Sequence, residues 1–383
     1  MKKIIDIVVK LPNSCETSKF PANFASVWMS IEGLTTEVQN SEDQTNSLFC
    51  NNQMPNGDCC GRCECGNIHV IKPKLGKRQG AVHNLYAVVS GISLMQLDLS
   101  NEEHLMPWWG PNTAKLLDEY DDYIKFTMDF AGYSYERFSR QSEKADIFEA
   151  VKRSIDADRP VLMNFGPFYD WFTVTGYDDE NGRLYGYDAS QNNSDEFPVA
   201  EGYEDGMFYL SGWYEEMIEA VVITEKTTLK NTYDDMFQRM ICILENMLET
   251  GYFKHSSDYL RDNSNFTNYD DEQYRKLAQR IEMFIGLPID QRPVTTWCFN
   301  DLAKVNTLKD KWQYFKRISA LYDNTHDICW IAWRMVGAFG TAPADECAIA
   351  LASPIVRRAI ADIIDIVRNN DELVLGCLRE MME

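Results

Sequence analysis

The chain is poor in basic residues and in histidine. Its 383 residues include 37 lysines and arginines, 59 aspartates and glutamates and only five histidines, which gives a formal net charge of −22 at pH 7. Because this charge repels phosphates and no basic stripe interrupts it, the composition argues against nucleic acid as a partner. An anionic membrane surface is disfavoured as a partner for the same reason.

Long apolar runs and nucleotide-binding loops are also missing. No apolar run reaches the roughly 18 residues of a membrane span, and neither a Walker-type loop nor a GxGxxG motif supports a nucleotide cofactor. The apolar run at residues 4–9 is interrupted by Asp6, which favours a β-strand over a signal peptide. With no signal peptide and 11 cysteines in the chain, we expect a reducing, cytoplasmic location.

The sequence does contain enough apolar material for a sizeable core. Hydrophobic residues make up 45% and aromatic residues 12% of the chain, and the length suits two domains. Residues 1–228 mix strand and helix patterns with many turns, whereas residues 229–383 show helical periodicity. We therefore predict an α+β fold, with an α+β domain over 1–228 and an all-α domain over 229–383.

Several helices are predicted in the second part of the chain. A 3.6-residue period over residues 237–248 predicts a helix that ends at Gly251. Further helices are predicted near residues 270–286, 309–322, 326–339, 344–352, 355–368 and 371–381. These segments are expected to be separated by prolines, namely Pro288, Pro293, Pro343 and Pro354. Thr325 or Asp327 is a candidate N-cap for the segment that follows it.

The most informative local pattern of the chain begins at residue 147 and ends at residue 188. Its first part is a predicted helix, because Phe148, Val151 and Ile155 recur on one apolar face. Residues 156–160, which include a proline, are expected to end that helix.

Two strands and a hairpin are predicted to follow. Residues 161–163 are a short apolar run typical of a buried strand, and residues 171–177 alternate aromatic or β-branched residues with threonine. An Asn-Gly pair within residues 178–182 predicts a tight turn, after which residues 183–187 pair back on the second strand.

This block resembles the second half of papain-fold domains in the bacteriocin-leader peptidase and butirosin-acyltransferase-like group. The matching elements are the strand that begins Arg159-Pro160-Val161, the motif Thr175-Gly176-Tyr177-Asp178, and a carboxylate at Asp188. The resemblance implies a papain-like fold for the first domain. The position at which that family keeps its catalytic histidine falls on Asp170 or Trp171, and neither can act as an imidazole base.

The resemblance also implies where a nucleophile would lie. Papain-like enzymes place a cysteine at the N-terminus of a long helix, and the matching helix here covers residues 21–33. The family's spacing lands on residues 20–22, none of which is cysteine. Cys15 is the nearest thiol and the candidate nucleophile if the chain is an enzyme, and Asp188 matches the carboxylate that orients the base.

A cysteine-rich loop is a candidate metal site that the resemblance does not explain. Four thiols fall within seven residues, at Cys59, Cys60, Cys63 and Cys65. The spacing of Cys60 and Cys63 is that of a zinc knuckle, and Gly61 permits the tight turn. A zinc held by four protein ligands would be structural. The alternative is a loop of free thiols.

Aromatic residues mark a candidate ligand site. Phe168, Asp170 and Trp171 join the two central strands at the place that borders the substrate cleft in the family, and Trp108 belongs to a rigid aromatic loop. A site lined by these aromatic side chains suits a flat or apolar ligand.

We therefore expect a non-catalytic papain-fold protein that binds a small molecule or peptide, and the family context implies bacterial peptide or natural-product metabolism. One alternative is a thiol-dependent acyltransferase or hydrolase that uses Cys15. Another is an interaction protein that acts through its helical domain.

Overall fold

The structure, a computed structural model, describes most of the chain from residue 122 onward and two segments before it. The described residues are 2–5, 79–101, 122–165, 170–187, 201–204, 207–303, 305–336 and 344–383. The chain divides into two compact units. The first comprises Met1–Ser90, Asp122–Thr232 and Lys304–Lys309, and the second comprises Gly91–Asp121, Tyr233–Ala303 and Asp310–Glu383.

The first unit combines an antiparallel sheet with helices. Its strands are β1 Lys2–Ile4, β2 Tyr133–Ser139, β3 Val161–Phe165, β4 Asp170–Asp178, β5 Arg183–Tyr187, β6 Gly202–Glu204, β7 Met207–Leu210 and β8 Met217–Lys226. Its helices are α1 Gln79–Ser90, α2 Tyr123–Ala131, α3 Lys144–Asp156 and the short α4 Trp213–Glu216. The strands are ordered β2-β8-β3-β4-β5-β7-β6, and β1 pairs with the last three residues of β4. The predicted α+β class is therefore confirmed.

One face of this sheet forms an apolar core with α3. Ile147, Val151 and Ile155 of the helix are fully buried in the same cluster as Val161, Met163 and Phe165 of β3. The predicted helix is confirmed, and it ends where the sequence indicated, at Asp156. Phe148 of the predicted apolar face stacks on Trp213 with ring centroids 5.9 Å apart.

The predicted hairpin is also confirmed. β4 and β5 pair in the register Asp178 to Arg183, and the intervening Gly182 has a φ of +62°. The carboxylate of Asp178 accepts hydrogen bonds from the backbone N–H of Glu180 and from the side chain of Asn181, at 3.1 and 2.6 Å. Gly186 is required further along β5, because a Cβ there would lie 2.2 Å from the carbonyl oxygen of Thr173.

The second unit is helical in its described parts. It contains a 3-10 turn at Ile92–Leu94 and the helices α5 Tyr233–Glu249, α6 Tyr252–Arg261, α7 Asp271–Leu302, α8 Trp312–Met335, α9 Ala344–Ala352 and α10 Pro354–Met382. Gly251 lies between α5 and α6 with a φ of +72°, which confirms that it ends the first of them. Among the described residues, segment 91–101 belongs to this unit, which the two-part division of the sequence did not include.

The expectation that Pro288 and Pro293 separate helices is wrong. Both lie inside α7, which continues for 32 residues. Pro288 has no N–H to donate to the carbonyl of Phe284 one turn earlier. The side-chain nitrogen of Gln96 donates to that carbonyl instead, at 3.2 Å. A tertiary hydrogen bond thus replaces the helical bond that proline removes.

Two further predicted breaks are absent. The segments predicted at 309–322 and 326–339 form the single helix α8, so neither Thr325 nor Asp327 caps a helix start. The segments predicted at 355–368 and 371–381 likewise form the single helix α10. At the middle of both helices, Asn370 of α10 donates to Thr325 Oγ1 at 3.0 Å. These polar side chains bond to each other and leave both helical backbones intact.

Candidate functional site

A single polar residue lies in the most buried strand of the first unit. β3 has the sequence Val-Leu-Met-Asn-Phe, and every residue in it is buried. Because side chains alternate along a strand, Val161, Met163 and Phe165 face the core with α3, and Leu162 and Asn164 face the other way. Asn164 is only 1% exposed. The second face of the sheet is thus buried at its centre and carries an amide there.

The strand register places Asn164 in a row with two other positions. Asn164 is the direct antiparallel partner of Trp171 on β4 and of Glu219 on β8. Direct partners in an antiparallel pair have Cβ atoms about 4.5–5.5 Å apart on the same face. The side chains of Asn164 and Glu219 are therefore neighbours on the face that does not pack on α3. We call Asn164 and Glu219 the polar row.

Glu219 is a buried carboxylate with a cationic partner on the next strand. Its Oε2 accepts a hydrogen bond of 2.6 Å from Nε of Arg137 on β2. The guanidinium of Arg137 also lies 3.5 Å from the carboxylate of Asp122, so among the described residues one cation faces two anions. Burial raises the pKa of Glu219, and the attraction of Arg137 offsets that rise only in part.

The polar row has one fully buried acceptor without a donor among the described residues, and a second acceptor beside it that can take a further donor. Oδ1 of Asn164 is fully buried and accepts no hydrogen bond there. The bond from Arg137 goes to Oε2 of Glu219, so Oε1, on a side chain that is 9% exposed, can accept a further donor. An unsatisfied buried polar atom costs about 1–3 kcal/mol and calls for an explanation in a native structure. Asn164 Oδ1 is such an atom, and together with the neighbouring carboxylate of Glu219 it can bind a group that offers N–H or O–H donors.

The residues predicted for ligand binding lie beside this row or outside the described ranges. Asp170 and Trp171 are the first two residues of β4, and the structure describes their backbone. The register therefore places position 171 directly opposite Asn164. The predicted wall residues Phe168 and Trp108 lie outside the described residues, so their roles stay predictions.

The predicted catalytic and metal residues also lie outside the described ranges. This applies to Cys15, Asp188, Cys59, Cys60, Cys63 and Cys65. No group of three or more His, Cys, Asp and Glu side chains in the described ranges is arranged to hold a metal ion. Because the four candidate ligands lie outside the described ranges, the zinc site stays a prediction.

Metal analysis of reduced protein purified without chelator tests the zinc site. We expect about one equivalent of zinc, and free titration of all four thiols would be the contrary result.

No cysteine occurs in the described ranges of the first unit. No histidine side chain is described there either. The described free thiols, Cys242, Cys298, Cys329 and Cys377, all belong to the second unit. Burial raises the pKa of Cys298 and Cys329 far above the ordinary value, so both are neutral thiols rather than nucleophiles.

A second polar cluster lies in the core of the second unit. Arg292 of α7 donates to Asp371 of α10 at 2.8 Å and to the carbonyl of Ser93 at 2.6 Å. Thr295 adds a bond of 3.0 Å to the hydroxyl of Ser93. Tyr322 lies beside this pair, and burial raises its pKa well above the ordinary value. All five residues are buried. The cluster draws on four segments and is closed to solvent, which is the arrangement of a structural contact.

The residues of the polar row were not predicted from the sequence, although a signal for them exists. Asn164 is the only polar residue in the run 161–165, and Glu219 is the only charge in the run 217–223. Charged and amide side chains are seldom fully buried without a partner. A lone polar residue in an apolar strand therefore marks a candidate site. The sequence does not show that the two strands are neighbours.

No protein-family model, curated protein or solved structure matches the chain. None of the helices in the described ranges combines the length and the apolar character needed to cross a bilayer.

Proposed function

We propose that the first unit is a papain-like domain that binds a small molecule or peptide at the polar row without transforming it chemically. The observation that carries the proposal is the fully buried, unpartnered Oδ1 of Asn164, directly opposite position 171. The resemblance places the catalytic histidine of papain-like enzymes at position 170 or 171. Under the proposed papain-like fold, the unsatisfied acceptor lies next to the position that carries the catalytic histidine in that family.

The order of elements supports the papain-like part of the proposal. The helix α3, the strands β3 and β4, the turn at 179–182 and the strand β5 follow one another as in the resembling domains, and the strands are antiparallel. The residues of the motif, Thr175 to Asp178, lie within β4.

The chemistry of the row supports binding rather than catalysis. Cysteine-dependent catalysis requires a thiol, an imidazole base and an orienting group together. The position for the base is Asp170 or Trp171 in this chain. Asn164 and Glu219 offer acceptor oxygens, which suit recognition of donor groups. The proposed setting is peptide or natural-product metabolism in a bacterial cytoplasm.

A screen of short peptides and amine-bearing natural products by thermal shift tests the proposal. We expect saturable ligands whose affinity falls about tenfold or more in Asn164→Leu, because that variant removes a hydrogen-bond acceptor at the site. Glu225→Gln is the matched control, since Glu225 lies on the same strand as Glu219 but is exposed. Ligands that bind wild type and Asn164→Leu equally contradict the proposal and direct attention to the helical unit.

The thiol-enzyme alternative has its own test. Labelling with iodoacetamide across pH, followed by mass mapping, reports the reactivity of Cys15. A thiol without an imidazolium partner keeps a pKa of about 8.5 and labels slowly at pH 6. Selective labelling of Cys15 at about pH 6, together with an acyltransferase or hydrolase activity that Cys15→Ala abolishes, replaces the binding proposal with an enzyme.

A further inference from the structure

The two free acceptors of the polar row define the chemistry of the ligand more narrowly. We infer that the group that enters the row is a primary ammonium, such as the free amino terminus of a peptide, held between Asn164 Oδ1 and Glu219 Oε1. This inference rests on the proposed function and names the ligand class for the same site.

The first argument concerns hydrogen bonding. Asn164 Oδ1 is buried without a donor among the described residues, and the bond from Arg137 to Glu219 occupies Oε2 and not Oε1. A ligand that bonds to both Asn164 Oδ1 and Glu219 Oε1 must bring at least two donors. A carboxylate or phosphate brings acceptors only, and it would meet the buried carboxylate of Glu219 with like charge.

The second argument concerns charge. Arg137 lies between Glu219 and Asp122, at 2.6 and 3.5 Å. One guanidinium for two carboxylates leaves a net negative charge in this group of three. A buried carboxylate is stabilised by an opposite charge in direct contact. The chain as a whole carries a net charge of −22, which favours the approach of a cation.

The third argument concerns shape and separates an ammonium from a guanidinium. Two N–H···O bonds of about 2.8 Å at a tetrahedral nitrogen reach acceptors that are about 4.6 Å apart. The Cβ atoms of direct partners on paired strands are about 4.5–5.5 Å apart, which is close to the spacing that two acceptors of one ammonium require. A primary ammonium can therefore bridge the row. A guanidinium prefers both oxygens of one carboxylate, and Oε2 of Glu219 is already occupied by Arg137.

The approach to the row is through Glu219. Its side chain remains 9% exposed, whereas Asn164 is 1% exposed. An ammonium that reaches Oε1 of Glu219 therefore arrives from the partly open end and contacts the amide at the buried end. The titratable and charged groups around Glu219 in the described residues are Arg137 and Tyr135 of β2 and Asp122 before α2.

The experiment uses the full-length chain and two matched peptide libraries. The first contains tripeptide amides with free amino termini, and the second contains the same peptides after N-acetylation. Affinity selection followed by mass spectrometry measures how much of each library is retained. We expect retention of the free-amine library to exceed that of the acetylated library about tenfold or more, the effect of losing a charge-assisted hydrogen bond.

Three variants test whether the preference for the free amine arises at the polar row. Glu219→Gln keeps the size of the side chain and should remove the preference for the free amine, as should Asn164→Ala. Glu225→Gln should keep it. Thermal melting of each variant shows that it is folded, and Glu219→Gln carries the test if Asn164→Ala does not fold.

The outcomes separate this inference from the proposed function. Equal retention of the two libraries, with both reduced by Asn164→Ala, overturns the ammonium inference and leaves the binding site in place. A free-amine preference that persists in folded Glu219→Gln also overturns it. Retention of neither library, combined with no hit in the wider ligand screen, overturns both.

Discussion

Each unit contains an arginine paired with a buried carboxylate, and the two pairs differ in what surrounds them. In the second unit, Arg292 and Asp371 are 2.8 Å apart with side chains 0% and 1% exposed. In the first unit, Arg137 and Glu219 are 2.6 Å apart with side chains 36% and 9% exposed. The Arg292–Asp371 pair is closed to solvent, and the Arg137–Glu219 pair is partly exposed.

The hydrogen bonds beside the two pairs differ as well. Arg292 also donates to the carbonyl of Ser93, so the pair connects α7 with α10 and with the 3-10 turn that contains Ser93. Beside Glu219, Oδ1 of Asn164 accepts no hydrogen bond from any described residue. A buried polar group that is bonded to several segments stabilises the fold. Unpaired atoms occur beside both pairs, because Arg292 Nε, Asp371 Oδ1 and Asn164 Oδ1 all lack a partner among the described residues. Arg292 and Asp371 are held by other bonds, whereas Oδ1 is the only oxygen of the Asn164 side chain, so a ligand is the better explanation for Asn164.

The largest effect is expected for Arg292→Met. This change leaves the carboxylate of Asp371 buried without its cation, and breaking a buried pair typically costs about 3–5 kcal/mol. The free energy of unfolding of the full chain in urea, followed by the helical circular dichroism signal, measures it. The control is Arg317→Met, because the pair of Arg317 with Glu380 is 54% and 55% exposed and such pairs contribute about 0–1 kcal/mol.

The double variant Arg292→Met/Asp371→Leu refines this prediction. Replacing both partners with apolar residues removes the uncompensated charge, so much of the lost stability should return. If Arg292→Met costs no more than Arg317→Met, the Arg292–Asp371 pair is not a structural contact and the contrast between the units disappears.

A second, smaller effect is expected from two buried asparagines, one in each unit. Asn370 donates to Asn324 and Thr325, each at 3.0 Å, whereas Asn164 has no partner in the described residues. Asn370→Leu should lower the free energy of unfolding by about 1–3 kcal/mol, since it leaves the hydroxyl of Thr325 without its donor. Asn164→Leu should be neutral or stabilising, because it replaces an unpaired amide with an apolar side chain.

Urea titrations measure the free energy of unfolding of both variants, and the test is the difference between their two changes in stability. A loss of stability in Asn164→Leu as large as that in Asn370→Leu would mean that Asn164 is a structural residue. The polar row would then lose its main support as a binding site.

The sequence predicts local structure well where periodicity and turn residues agree. The apolar face of α3, the alternation in β4 and the Asn-Gly turn before β5 are each set by residues close in the chain, and each prediction is confirmed. The breaks predicted at Pro288 and near Thr325 fail because distant side chains, Gln96 and Asn370, supply hydrogen bonds there. Such partners cannot be read from local sequence.

The candidate site was predictable only in part. The resemblance directed attention to positions 170 and 171, and these lie next to the polar row. Asn164 is visible in the sequence as a lone polar residue in an apolar run. Its neighbour Glu219 comes from β8, far along the chain, and only the pairing of β3 with β8 brings the two together. Strand order in an antiparallel sheet depends on long-range packing, which the sequence pattern does not specify.

The smallest effect is expected at a third ion cluster, on α2 in the first unit, and it depends on pH. The carboxylate of Asp129 bonds to the ammonium groups of Lys125 and of Lys230, the latter at 2.9 Å. Burial works toward a higher pKa of Asp129, but the two lysines outweigh it, so the pKa lies below its ordinary value of 3.8. The lysine side chains are mostly exposed, which limits the contribution to about 1 kcal/mol or less.

The direction of the pH effect follows from the lowered pKa of Asp129. The folded state binds the proton less tightly than the unfolded state, so the stabilisation is complete above the unfolded value of 3.8 and is lost as pH falls through the lower folded value. Asp129→Asn cannot titrate. Its deficit in unfolding free energy relative to wild type should therefore be constant from about pH 7 to 5 and shrink below about pH 4. Urea titrations at a series of pH values measure this difference. A deficit that stays constant down to about pH 2.5 would show that Asp129 stabilises the unit through its hydrogen bonds alone.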